Sequence, residues 1–165
     1  MNAEVWCRNF KGTARSCACL FKDKRDILFY VIKIYIDDVT KPIEDFINSV
    51  NEPINIDSFL DDVIDLTISV HKKNANLHNI LHSLADTHND INEEFMVLEE
   101  KITYLGTTKL KAVGVNPTNL IEKVHLAMDM VQSFAHEYLY DNHEYIDYDA
   151  MRKDVKKCLL ALFSD

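Results

Sequence analysis

The sequence predicts an all-α protein, and three observations carry that expectation. Only three Gly and three Pro occur in 165 residues, too few for the tight turns an all-β fold needs. Apolar residues recur at intervals of three and four along most of the chain, with acidic residues between them, which is the pattern of amphipathic helices. Cap and stop residues separate these runs at helical lengths.

The elements follow in order. Asp23 is a good N-cap for a helix reaching about Val50, because its carboxylate can accept from free backbone N–H groups. The stretch Ile27–Ile36 alone reads equally as a buried strand. Val39, Ile43, Phe46, Ile47 and Val50 decide for a helix, with Pro42 expected to kink or interrupt it. After the loop 51–55, Asp57 is expected to cap a helix to about Lys73, carrying Phe59, Leu60, Val63, Ile64 and Ile68. Asn76 starts a shorter helix with Leu77, Ile80, Leu81 and Leu84. Asn89 or Asp90 starts a long one to about Val113, where Gly114 supplies a left-handed stop. Asn116-Pro117 pairs an N-cap residue with proline at the first helical position and predicts a helix to about Tyr140. A last helix spans roughly Asp149–Phe163.

The final two long helices carry more apolar surface than one seam needs. Leu120, Ile121, Val124, Ala127, Met128, Val131, Phe134 and Ala135 share one broad arc, and Met151, Val155, Cys158, Leu159, Leu162 and Phe163 share another. The excess predicts a two-fold dimer whose interface takes in Leu120, Ile121, Val124, Met128, Val131, Ala135, Met151, Val155, Leu159 and Leu162. Deep burial in a monomer core is the competing reading. Cys158 reads as a core residue.

Charge is unevenly spread. Residues 1–25 carry six basic and two acidic side chains, while the whole chain is −9. A basic head on an acidic body suits contact of the head with phosphate. Cys7, Cys17 and Cys19 lack the spacing and the fourth ligand of a zinc site. Composition changes sharply at residue 20, as if the first twenty residues came from another reading frame. No run of eighteen apolar residues and no signal-peptide core occurs, so the expectation is a cytoplasmic protein without a membrane partner.

The junction Phe21-Lys22-Asp23-Lys24-Arg25-Asp26-Ile27-Leu28 resembles the point where the helix-turn-helix head of a TetR-type (tetracycline-repressor-like) regulator joins its helical body. The resemblance covers roughly residues 16–165. It implies a remnant of a DNA-binding head at 1–22 and a ligand-binding and dimerisation domain at 23–165. It further implies a homodimer that binds operator DNA and releases it when an effector enters the body. Ser16 stands for the Thr near the end of the family's recognition helix. Lys24 matches a lysine that reaches the DNA backbone. Ala18 and Leu20 replace two family tyrosines, and upstream of Ser16 nothing aligns, so the head is expected to be truncated and DNA binding weakened. A headless dimerisation protein acting through heterodimers is the alternative.

The implied effector is a small hydrophobic or aromatic molecule, with Phe59, Phe95, Tyr104, His125, Met128 and Phe134 as candidate cavity residues. The same residues would serve a packed core. His78, His82 and Asp86 form a ladder with the spacing of a divalent-metal site, and equally that of residues flanking an apolar stripe. A metal-binding helical protein built on them is the second alternative. His125, Gln132 and His136 edge the apolar arc of the penultimate long helix. No metal or cofactor is expected. No His-Glu-x-x-His, Gly-rich phosphate loop or Gly-x-Ser-x-Gly elbow occurs, so the expectation is a non-enzyme. Asp61-Asp62 and Glu99-Glu100 read as solvated faces.

Overall fold

The computed structural model describes residues 21–73, 75–141 and 143–164. Six α-helices, and no strand, occur among them: α1 (Lys24–Ser49), α2 (Ile56–Lys73), α3 (Ala75–Ala85), α4 (Asn89–Ala112), α5 (Leu120–His136) and α6 (Tyr148–Phe163). A π turn, Glu137–Asp141, extends α5. The all-α expectation is met. No helix among the described residues is long and apolar enough to cross a membrane.

The chain divides into two compact units, Met1–Tyr35 and Ile36–Asp165. The division falls inside α1. Ile32 and Tyr35 are buried. In this unit Asp23 caps α1 as expected: its Oδ1 accepts from the backbone N–H of Arg25 at 2.8 Å and of Asp26 at 3.0 Å. Asp26 reciprocates by accepting from the N–H of Lys22 at 2.9 Å, a variant of the capping box.

Pro42 lies within α1 and does not interrupt it. Proline removes one backbone donor, but Asp38, one turn back, is exposed, so its carbonyl can bond water instead. Two helix starts differ from the sequence expectation, those of α2 and α5. Asn55, not Asp57, caps α2, accepting from the N–H of Ser58 at 3.1 Å. α6 starts at Tyr148 close to the expected position, with Asp147 as its cap accepting from the N–H groups of Asp149 and Ala150. α5 begins at Leu120 after a left-handed Asn119 (φ 55), rather than at Asn116-Pro117. Gly114, with φ 83, ends the α4 segment as predicted.

In the second unit α5 is the hub, in contact with α2, α4, α6 and the π turn. Leu60 and Ile64 of α2, Val131 and Phe134 of α5 and Leu159 of α6 form one buried apolar cluster. Phe46 of α1 stacks on Phe59 at 5.6 Å between ring centroids. Along the outside, Asp57, Asp61 and Asp65 rise in steps of four on α2. Arg152 pairs with Asp61 and Asp65, and Lys156 with Asp57 and Asp61. Asp61 is therefore an inter-helix partner rather than part of a solvated face, while Asp62 is exposed.

The breadth of the α5 arc has its explanation here. A helix with three neighbours needs apolar residues on several sides. Leu120, Val131, Ala135 and Leu159 are buried within the chain itself. Ile121 remains exposed, and Val124, Met128, Met151, Val155 and Leu162 are half-buried. Cys158 is exposed, contrary to its reading as a core residue, because α6 turns only Leu159 fully inward.

Candidate functional site: a buried histidine cluster

Four histidines from three helices meet beside the apolar core. His71 lies in the last turn of α2, His78 and His82 lie on α3, and His136 ends α5. His78 and His82 share a face of α3 because residues four apart are neighbours on a helix. His71 and His78 are buried, at 7% and 5% exposure. The ring of His78 lies 4.4 Å from that of His71, 4.3 Å from that of His82 and 4.6 Å from that of His136. Phe95 of α4 covers His82 at 4.8 Å. The π turn carries Tyr140 to the cluster, where its hydroxyl donates to the backbone carbonyl of His71 at 3.1 Å.

Hydrogen bonding fixes the state of His71. Its Nδ1 lies 2.8 Å from the carbonyl oxygen of Thr67. A carbonyl can only accept, so Nδ1 carries the proton and neutral His71 keeps a bare lone pair on Nε2. That Nε2 is buried and has no partner. Across the cluster, Nε2 of His78 and Nε2 of His136 face each other at 2.5 Å. One ring nitrogen each from His71, His78 and His136 lie within 4.8 Å of one another.

All four imidazoles are held below the ordinary histidine range, chiefly by burial, which disfavours the charged form. His78 falls furthest, to about 3, with its three neighbouring imidazoles adding to the effect of burial. Asp86 works against the shift at His82, and Asp141 against that at His136. The group is therefore neutral near pH 7 and rich in lone pairs, which suits it to ligate a borderline cation rather than an anion. His136 also borders an open polar groove of about 540 Å³ lined by Asp129, Gln132, Ser133, Glu137 and Asp141.

Of the candidate effector residues, Phe95 alone reaches this cluster. Phe134 is in the apolar core and Phe59 packs against it. Met128 is half-buried on α5. Tyr104 is exposed. His125 is exposed, with Nδ1 3.3 Å from the Thr103 hydroxyl and Nε2 3.8 Å from Asp129. The six are spread over α2, α4 and α5 in different environments, from the apolar core to exposed positions. Of the His78/His82/Asp86 ladder, the two histidines are in the cluster and Asp86 is exposed outside it. Lys24 is exposed at the start of α1, and Ser16 lies outside the described residues.

Sequence reading missed His71 altogether and placed His136 only at the edge of an arc. His78 and His136 are 58 residues apart, and no local period links them. The one available signal was the shared position of His71 and His136 in the last turns of their helices, which is weak. No family model matches the chain, and no curated protein or solved structure does either.

Proposed function

We propose that this chain is a one-component transcriptional regulator of the TetR type, non-enzymatic and homodimeric, whose helical body senses a ligand. The observation that best supports this reading is α1. It begins, doubly capped by Asp23 and Asp26, among the exposed Lys22, Lys24 and Arg25, and continues as one helix to Ser49 in the body unit. Exposed cations at a helix N-terminus favour phosphate, since their charge and the helix dipole both attract negative charge. A helix that also enters the body gives ligand occupancy a covalent link to the DNA-facing end.

Dimerisation draws support from Ile121, exposed on α5, and from the half-buried Val124, Met128, Met151, Val155 and Leu162. Light scattering of the full chain is expected to give twice 19.1 kDa, and a monomer at micromolar concentration would remove this part of the reading. DNA binding is tested by fluorescence anisotropy with duplex DNA at several salt concentrations. Lys24→Ala should weaken binding uniformly across sequences and flatten the salt dependence. A chain that dimerises without binding any duplex would instead be the headless heterodimer-forming protein.

A further inference from the structure

We propose that His71, His78 and His136 bind one divalent transition-metal ion of the zinc class. The site stands independently of the regulator reading, since it requires neither DNA nor a second copy of the chain.

The donor set comes first. Three neutral imidazoles suit borderline ions such as Zn²⁺ and are poor ligands for Ca²⁺ or Mg²⁺, which require oxygen. Three histidines with one position left open is the coordination pattern of many zinc centres that take water or an exogenous group. His71 has the arrangement expected of a metal-ligating histidine: one ring nitrogen donates to a backbone carbonyl, that of Thr67 at 2.8 Å, which orients the ring and leaves the other nitrogen to the ion. That other nitrogen, Nε2, is buried without a hydrogen-bond partner.

A packed cluster of neutral rings is the competing explanation, and hydrogen bonding weighs against it. His78 and His136 bring Nε2 to within 2.5 Å of Nε2, and as neutral rings they can satisfy each other with one proton only. Nothing then remains for Nε2 of His71. An ion accepts all three lone pairs together. Two nitrogens on a tetrahedral ion, each about 2.0–2.1 Å from it, sit about 3.3 Å apart. His78 and His136 must therefore separate by less than about 1 Å, and His71 must close in from within 4.8 Å. Side-chain rotations supply movements of that size.

An entry path exists as well. His136 is half-buried and lines the groove that also holds Asp129, Glu137 and Asp141. Three carboxylate side chains in this groove attract cations beside His136, the most exposed of the three ligands. His82 stacks on His78 but lies outside the three-nitrogen set, so the site has three protein ligands rather than four.

The test uses the untagged 165-residue chain, stripped with chelator and titrated with Zn²⁺ by calorimetry. One ion per chain is expected, together with a rise in Tm on adding Zn²⁺. Co²⁺ in its place should give the visible absorption of a four- or five-coordinate nitrogen site. His71→Gln and His136→Gln should each weaken Zn²⁺ binding by about tenfold or more. His82→Gln, and His88→Gln at an exposed position, should change it by less than about threefold. Should His71→Gln fail to fold, the half-buried His136→Gln carries the test, and NMR of the wild-type imidazoles gives a direct readout: His71, His78 and His136 must shift on adding Zn²⁺ while His88 does not. Absence of binding with zinc in excess, or binding that survives both substitutions, overturns the proposal. A loss in His82→Gln equal to that in His71→Gln overturns the three-ligand assignment.

Discussion

Phe134 and His136 stand two residues apart on α5 and enter two different interiors. Phe134 joins Leu60, Ile64, Val131 and Leu159 in a cluster of apolar side chains. His136 joins His71, His78 and His82 in a cluster of ring nitrogens. Both interiors draw on α2 and α5, the first adding Leu159 of α6 and the second His78 and His82 of α3. The first is satisfied by area alone, since the hydrophobic effect has no direction. The second is directional, and it leaves Nε2 of His71 without a hydrogen-bond partner. The difference teaches that one holds the fold and the other holds a capacity. Stability should depend steeply on the first and only slightly on the second.

The largest expected effect breaks the apolar side. Phe134→Ala removes a ring that is almost fully buried and should cost about 3–5 kcal/mol, from lost transfer energy and from the cavity left behind. Urea denaturation monitored by circular dichroism measures it. A cost below about 1 kcal/mol would mean that this cluster is not the core.

The matching change on the polar side should be mild. His71→Leu keeps approximate volume, deletes an unsatisfied nitrogen and gives up one bond to the Thr67 carbonyl. Because an orphaned buried acceptor costs about as much as a good hydrogen bond contributes, metal-free stability should move by less than about 1 kcal/mol in either direction. The stabilisation by added Zn²⁺ should vanish. The pair of variants thus separates the two interiors: one loses stability, the other loses only the response to metal.

The same contrast governs what was legible in the sequence. Helices were readable because the apolar period is local. The run through Val39, Ile43, Phe46 and Ile47 settled α1 even with Pro42 inside it. Asp23 was legible as the cap of α1, while Asn55 was not legible as that of α2, because Asp57 has similar propensity and the hydrogen bond chooses between them. The start of α5 was misread because Asn116-Pro117 is a strong local signal, while the backbone reverses at Asn119. The breadth of the α5 arc was legible, but not that α2, α4 and α6 surround that helix. On the polar side, the His78/His82 pair was visible at helical spacing. His71 and His136 were not, since they join through contacts between helices. Asp86 fitted the period and proved exposed.

A smaller effect tests the capping assignment for α6. Asp147→Ala removes the acceptor for two backbone N–H groups and should cost about 1 kcal/mol, while Asp149→Ala should cost a few tenths. Thermal melts of the two variants compare them directly, and the reverse order would make Asp149 the cap instead.

The smallest effect concerns the ladder that fastens α6 to α2 beside the apolar cluster. Arg152 bonds to Asp65 and pairs more loosely with Asp61. The hydrogen bond from Arg152 is the main cause holding the Asp65 carboxyl below its ordinary value. A carboxyl with a depressed folded-state pKa stabilises the fold above its unfolded pKa, and that contribution is lost as pH falls through the folded one. Arg152→Ala should therefore be less stable than wild type near neutrality, by well under about 1 kcal/mol because the pair is exposed and screened. The gap should close as pH drops below the ordinary carboxylate range, and added salt should shrink it. Stability curves for both proteins from pH 7 to pH 3 decide the matter: a gap that persists in acid would mean that Arg152 acts through the packing of its aliphatic stem on α2, on the apolar side of the comparison after all.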